Sequence, residues 1–460
     1  MHSANLIVPQ VQVKWGDVDL TDPASTGIPS TLVYDVTVEM AAQSQWPTGS
    51  MMWSPAGKAF DKFIEFSKKY EEDISVRFYY QNGPEITFYF QYAGMQMDYG
   101  NSMGVKVYLN CIKAETASAS KKSFAIDNAE TFKAKGKDQL QVEKKITELY
   151  GGKEVVPKVI WSKCAEKGAK KVKIQQAYAK DSTYGTQIQQ LAQDGGNTIT
   201  YSNMTKEGVM IVQCPLTWQA KNSEGDIKIP GKTVVEGERY GWLLGPGIID
   251  SFSREFRWQS PSQDNNQSAT PASQPQGKAD ALKPPGTTDQ AQQKRVAKAQ
   301  GAGKAPAGST TPNAQRNKST SENPEAGEKK QFLTEENQTQ ISAELFMTPS
   351  MVGITPDDVL YIPSLDPKKD IIEDYKVTSV SYTQSGAEFR VSVQGNRPYG
   401  INKPMWEDAA KKFREIARKL TTVADWTKYA WTLNRGSSAP AVATAPSSKT
   451  GSTQAARKSK

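Results

Sequence analysis

Between Trp258 and Phe332 the chain runs without one aromatic residue and with almost no large aliphatic one. A succession of Ser, Gln, Pro, Ala, Gly and Lys buries too little apolar surface to offset the entropy of ordering it. Residues 260–331 are therefore expected to form a disordered linker. Strand-like sequence stops on one side of it and resumes on the other. Either two folded blocks flank a flexible connector, or the connector interrupts a single domain.

The 460 residues allow about three domains at the usual ~100–200 residues each. The formal net charge of +8 is concentrated in two places. The linker and the tail after Gly436 each carry an excess of four positive charges, which leaves the folded blocks near neutral. The basic balance thus describes two solvated segments rather than a nucleic-acid groove, and no sequence-specific nucleic-acid binding is expected. Cys111, Cys164 and Cys214 lie far apart without a C-x-x-C pair. That spacing argues against zinc and against a disulfide framework, and suits a reducing compartment. No apolar run approaches the ~18–20 residues of a membrane span, and Met1 to Pro9 lacks a signal-peptide pattern. A soluble protein made in a cytosol is the expectation.

Period-two alternation marks four strands in the first block: Tyr34 to Met40, Ile74 to Tyr80, Ile86 to Tyr92 and Val105 to Cys111. Gln81-Asn82-Gly83-Pro84 reads as a hairpin turn. Ser54 as N-cap and Pro55 at the first position predict a helix with Phe60, Phe63 and Ile64 on one stripe. Further on, Asp138 to Tyr150 reads as a helix stopped by Gly151-Gly152, and Val172 with Ile174 as a short strand. Asp181 or Ser182 then caps a helix carrying Tyr184, Ile188, Leu191 and Ala192. Thr198 to Ser202, Val209 to Gln213, Ile248 to Trp258, Ile341 to Met347, Val359 to Ile362, Tyr375 to Tyr382 and Phe389 to Gln394 follow as strands. An amphipathic helix from about Pro404 to Leu420 closes the pattern.

The fold class expected is mainly β with an α+β insert. A first β-barrel with an embedded helix takes 1–125 and a small α+β domain 126–235. A second barrel takes 236–259 plus 332–400, followed by a helical segment at 401–435 and a disordered tail at 436–460.

The chemistry of most enzymes is missing from these residues. The one histidine is His2, at a terminus that frays, so a His-dependent triad or His-ligated metal is not expected. No phosphate-loop, H-E-x-x-H or EF-hand pattern occurs. Leu243-Leu244-Gly245-Pro246-Gly247 sits between strand-like runs and reads as a tight turn, not a phosphate cradle. The Lys167 to Lys173 run reads as solvated surface. Neither Glu71-Glu72-Asp73 nor Asp357-Asp358 is expected to be a glycosidase pair. No catalytic residue, cofactor or metal is assigned, and no enzyme is expected.

The order of parts resembles the tail-hub proteins of phages and related contractile injection machines, including the late-control group. Three stretches carry the resemblance. One is the opening barrel with its helix, from Val11 through Ile112. A second is Ile174-Gln175-Gln176-Ala177-Tyr178 followed by Tyr184 to Gly196. The third is Met351 to Pro363, similar to the turn-and-strand element "pGD-x-v-x-v", although Asp357 stands where the family often has Gly. The resemblance implies two similar barrels per chain and a homotrimer whose six barrels form a ring around a delivery channel. That ring would join a six-fold tail tube to a trimeric central spike, with baseplate wedge proteins as further partners, in a virion assembled in the host cytoplasm.

Other readings remain at this stage: a carbohydrate- or receptor-binding module of a tail tip, using Tyr79, Tyr89 and Tyr108, or a cell-wall hydrolase. For the C-terminal helix, packing on its own domain competes with docking onto a neighbouring subunit. Trp406, Phe413, Ile416, Leu420, Trp426 and Trp431 are the candidate docking residues, since aromatic anchors are enriched at interfaces.

Overall fold

A computed structural model describes residues 8–257 and 338–431, apart from 29–30, 43–44, 55–56, 82, 99–103, 120–135, 175–181, 215–226, 231–233, 364–370 and 399–402. The expected linker and tail lie outside the described residues. The chain divides into two compact units, Met1–Glu255 with Thr339–Lys460, and Phe256–Gln338. The architecture below is that of the first.

Alternating sequence becomes strand wherever one face has a core to meet. The first block contains β1 (Pro9–Trp15), β2 (Val18–Asp19), α1 (Pro23–Thr26), β3 (Val33–Ala41), β4 (Thr48–Trp53), α2 (Lys58–Ser67), β5 (Ile74–Tyr80), β6 (Glu85–Asp98) and β7 (Gly104–Asn110). Its inward positions bring Trp15, Trp53, Phe63 and Phe66 together, with Trp15–Phe66 centroids 5.5 Å and Trp53–Phe63 centroids 5.4 Å apart. Both indoles find acceptors, Trp53 on the Ala59 carbonyl at 2.7 Å and Trp15 on that of Lys69 at 3.2 Å. These acceptors offset the cost of taking the two indole N–H groups out of water.

Helix α2 starts later than its sequence suggests. Gly57, at φ 46°, is the N-cap and offers no side-chain bond. Ser54 instead extends the strand pairing, its N–H donating to the Leu32 carbonyl at 2.9 Å. Pro55 lies outside the described residues. The buried face carries Ala59, Phe63 and Phe66, with Phe60 partly covered and Ile64 exposed.

The α+β insert comprises α3 (Ile112–Ser118), α4 (Gln139–Leu149), β8 (Lys158–Trp161), α5 (Lys163–Ala169), α6 (Tyr184–Asp194), β9 (Thr198–Ser202) and β10 (Val209–Gln213). Its three-stranded sheet has β10 at the centre, parallel to β8 and antiparallel to β9. Asp138 caps α4 as expected, accepting from Gln141 N–H at 2.9 Å. Thr183, not Asp181 or Ser182, caps α6. The Val172–Ile174 strand reduces to one isolated bridge between Lys173 and Asp138.

The absence of a disulfide is corrected here: Cys164 and Cys214 are bonded, Cα atoms 6.0 Å apart, across a separation of 50 residues. Sequence distance carries no information about this pairing because α5 and the end of β10 meet only in the folded insert.

The remaining elements are β11 (Ile227–Lys228), β12 (Arg239–Leu243), β13 (Ile249–Arg257), β14 (Gln338–Phe346), β15 (Val359–Pro363), β16 (Ile372–Ser385), β17 (Glu388–Pro398), α7 (Glu407–Lys419) and α8 (Val423–Trp431). Among the described residues, β1–β7 and β11–β17 form one 14-stranded sheet, with the order β11-β12-β15-β16-β3-β4-β7-β6-β5-β1-β2 and β17, β14 and β13 branching from β16. The fold is mainly β with a helical minority, as its alternation predicts. Two separately closed barrels are not what the described ladders make. Six strands of each block, β1 with β3–β7 and β12–β17, lie side by side, joined by the antiparallel β16–β3 ladder from Ser379↔Ala41 to Gln384↔Val36.

Candidate docking surface

The turn before β15 shows how the second block is fixed. Asp357 adopts φ 73°, the left-handed conformation that glycine would take most easily. Its carboxylate compensates by pairing with the Lys376 ammonium at 2.5 Å, both side chains buried. Asp358 is buried too, and accepts from Tyr240 N–H at 2.8 Å, Trp242 Nε1 at 2.9 Å, Thr355 N–H at 2.8 Å and Thr355 Oγ1 at 3.2 Å. Burial pushes its carboxyl up to about 7, against the pull of those four donors. Here the acidic pair ties the turn to two strands, Asp358 to β12 and Asp357 to β16.

The C-terminal helices sit on this block. Helix α7 has no capping side chain of its own. Asp374 of β16 supplies one from across the fold, accepting from Trp406 N–H at 2.9 Å, and burial raises its carboxyl above the usual range. Phe413 stacks on Tyr361 with centroids 4.3 Å apart and planes 17° apart. Gly241 makes that possible, since a Cβ there would stand 2.5 Å from the Phe413 ring. Gly245 plays the same part for Trp426, whose ring would collide with any added Cβ. The glycine-rich turn is thus a seat for an indole.

Of the six candidate docking residues, Trp406, Phe413 and Trp426 are buried inside the chain. Ile416 and Leu420 are partly buried against the core. Trp431 keeps 41% of its surface, its ring meeting Tyr80 edge-on at 6.2 Å. Val423, at 67% exposed, is a further apolar side chain on α8. Helix α8 lies within the 401–435 segment read as helical but was not distinguished there as a second helix; Thr422 ahead of Val423, holding Asp425 N–H at 3.1 Å, was its signal.

The other sequence candidates do not converge. Tyr79 lies opposite Glu85 while Tyr89 lies opposite Ser75, four positions and roughly 13 Å along the ladder. Tyr79 already carries Arg77 over its ring at 4.4 Å, and Tyr108 carries Lys106 at 5.5 Å. Asp73 pairs with Lys206 at 3.5 Å. In the Lys167–Lys173 run, Lys170 pairs with Glu166 at 2.7 Å and Lys167, Lys171 and Lys173 are exposed. Among the described residues no cluster of three or more His, Cys, Asp or Glu side chains is placed to hold a metal, and no helix is long and apolar enough to cross a membrane.

Sequence reasoning also missed a half-open cavity beside the disulfide, walled by Lys163, Cys164, Lys228, Glu238 and Arg239. Its signal was slight: Cys111 continues the inward alternation of Val105, Val107 and Leu109 just past the end of β7, leaving the two insert cysteines as a pair.

Neither a protein-family model nor a curated protein matches the chain. Among solved structures it is similar to a 43 kDa tail protein of a Shewanella oneidensis prophage, with 12% identity and a TM-score of 0.46, over 85% of this chain and 98% of that one. It is similar to a tail protein of Neisseria meningitidis, with 11% identity and a TM-score of 0.42, over 88% and 99%. A third likeness is to an Escherichia coli component of the type VI secretion system, described as structurally similar to T4 bacteriophage tail proteins, with 6% identity and a TM-score of 0.34, over 81% and 74%.

Proposed function

We propose that the chain is a structural hub of a phage tail or baseplate, acting as a homotrimer that adapts a six-fold tube to a trimeric spike around a delivery channel. The observation that carries this reading is the β16–β3 ladder, which sets two six-stranded blocks side by side in one sheet. Three chains bearing two such blocks each present six comparable modules, the symmetry that a three-fold to six-fold junction needs. The sequence resemblance from Val11 to Pro363 supports the same assignment. On this reading Trp406, Phe413 and Trp426 seat the C-terminal helices, while Ile416, Leu420 and Trp431 offer surface to a neighbouring subunit.

Light scattering on purified protein, alone and mixed with the tube and spike proteins of the same particle, tests this. A particle of three chain masses that binds both is expected. A chain that stays monomeric in the mixture and binds neither overturns the proposal. Trp431→Ala is expected to weaken the trimer, seen in light scattering as dissociation at a higher protein concentration, with the circular dichroism of the folded chain unchanged.

A further inference from the structure

Arg239 opens β12 and is only 6% exposed. Among the described residues its guanidinium donates to the Cys214 carbonyl at 3.4 Å and lies 5.7 Å from the Trp406 ring. Its Nε has no partner among the described residues. The other buried cations of this block behave differently. Lys376 has Asp357 at 2.5 Å, and Arg397 has Asp374 at 4.0 Å. No ion pair among the described residues includes Arg239. A guanidinium stays charged at any ordinary pH, and a buried charge without a counter-charge is strongly unfavourable.

The described wall of the cavity adds positive charge beside it. Arg239 walls the cavity beside the Cys164–Cys214 disulfide together with Lys163 and Lys228. The single carboxylate among the described residues of that wall, Glu238, is already engaged by Lys228 and by the Tyr240 hydroxyl at 3.0 Å. Lys163 is exposed at the mouth. Three cations facing one committed carboxylate form a recess that attracts anions, and guanidinium is the side chain best matched to paired oxygens.

We propose that this cavity binds a small oxyanion, a phosphate or carboxylate group, seated against Arg239 with Lys163 guarding the opening. The proposal is independent of the hub assignment, since it rests on charge and burial within the insert and β12. Two acids of the chain itself, Glu224 and Asp226, lie in sequence between Cys214 and Ile227 and are the competing source of negative charge.

The full-length chain with its disulfide intact is titrated with sodium phosphate and with sodium acetate, against sodium chloride at matched ionic strength, following melting temperature and calorimetric heat. A saturable rise with phosphate, acetate or both, beyond that with chloride, is expected; the more effective ion identifies the group. Arg239→Met should abolish the response and raise the melting temperature measured in chloride, because it removes an unpaired buried charge. Lys163→Ala, at the exposed mouth, should weaken affinity several-fold with the basal melting temperature unchanged, which keeps the test decisive if Arg239→Met fails to fold. No saturable response to either ion overturns the proposal, as does a response that survives both substitutions. A response appearing only in the Glu224→Gln, Asp226→Asn double variant also overturns it, assigning the counter-charge to the chain.

Discussion

The two strand blocks solve the same packing problem with different materials. Between residues 9 and 110 no polar or charged side chain is buried among the described residues; the interior is Trp, Phe, Tyr, Val, Ile, Leu and Met. The second block buries Arg239, Asp357, Asp358, Asp374, Lys376 and Arg397. An apolar core gains stability from area and shape and tolerates modest repacking. A buried polar network fixes particular geometry, because each group left unpaired is costly. In the first block the ladders and α2 need little more than inward aromatics. In the second, a left-handed turn and a helix without its own cap are held by carboxylates reaching from other elements.

Removing one charge from the second block sharpens this contrast most. Lys376→Met leaves Asp357 buried and uncompensated, and is expected to cost about 3–5 kcal/mol in denaturant unfolding. Adding Asp357→Gly should restore most of that loss, since glycine takes φ 73° readily and removes the stranded charge. A double variant no more stable than the single one would break the contrast. In the first block Phe63→Ala should cost a similar ~3–5 kcal/mol, but with no rescue by a second deletion, because the deficit there is a cavity.

Between the blocks, reducing the Cys164–Cys214 bond should cost about 4 kcal/mol for a loop of 50 residues. The measurement is thermal unfolding with and without reductant, checked against Cys164→Ser.

The last expected effect is on pH dependence. Burial raises the Asp358 carboxyl to about 7, so the folded chain holds a proton there that the unfolded chain releases near pH 4. Its contribution to stability is therefore greatest at the acid end and falls as pH rises from about 4 to about 7. Asp358→Asn should flatten that part of the profile. An unchanged slope in the variant would place the titration elsewhere, although the first block has no buried carboxylate to supply it.

Much of this architecture was legible in the residues, and unevenly so. Val209 to Gln213 and Thr198 to Ser202 became strands with the bounds their sequence suggested, and Asp138 capped its helix. Strand β4 was missed because Thr48-Gly49-Ser50 carries no outward–inward alternation. Its identity comes from neighbours β3 and β7, which a local reading cannot see. Helix α5 hid behind a lysine run whose small inward residues, Ala165 and Ala169, give a weak apolar stripe. For the candidate surface, the stripe of α7 was visible, but which aromatics stay accessible was not. Burial of Trp426 depends on Gly245, and burial of Phe413 on Gly241, both far away in sequence.

The β16–β3 ladder also has a kinetic meaning. Its two strands are separated by most of the chain, including the insert and the 258–337 segment, so joining them closes one of the largest loops available. Contacts of such high sequence separation form late, after local hairpins such as β5–β6 and β16–β17 are in place. Each block should thus acquire its shape before the seam between them zips.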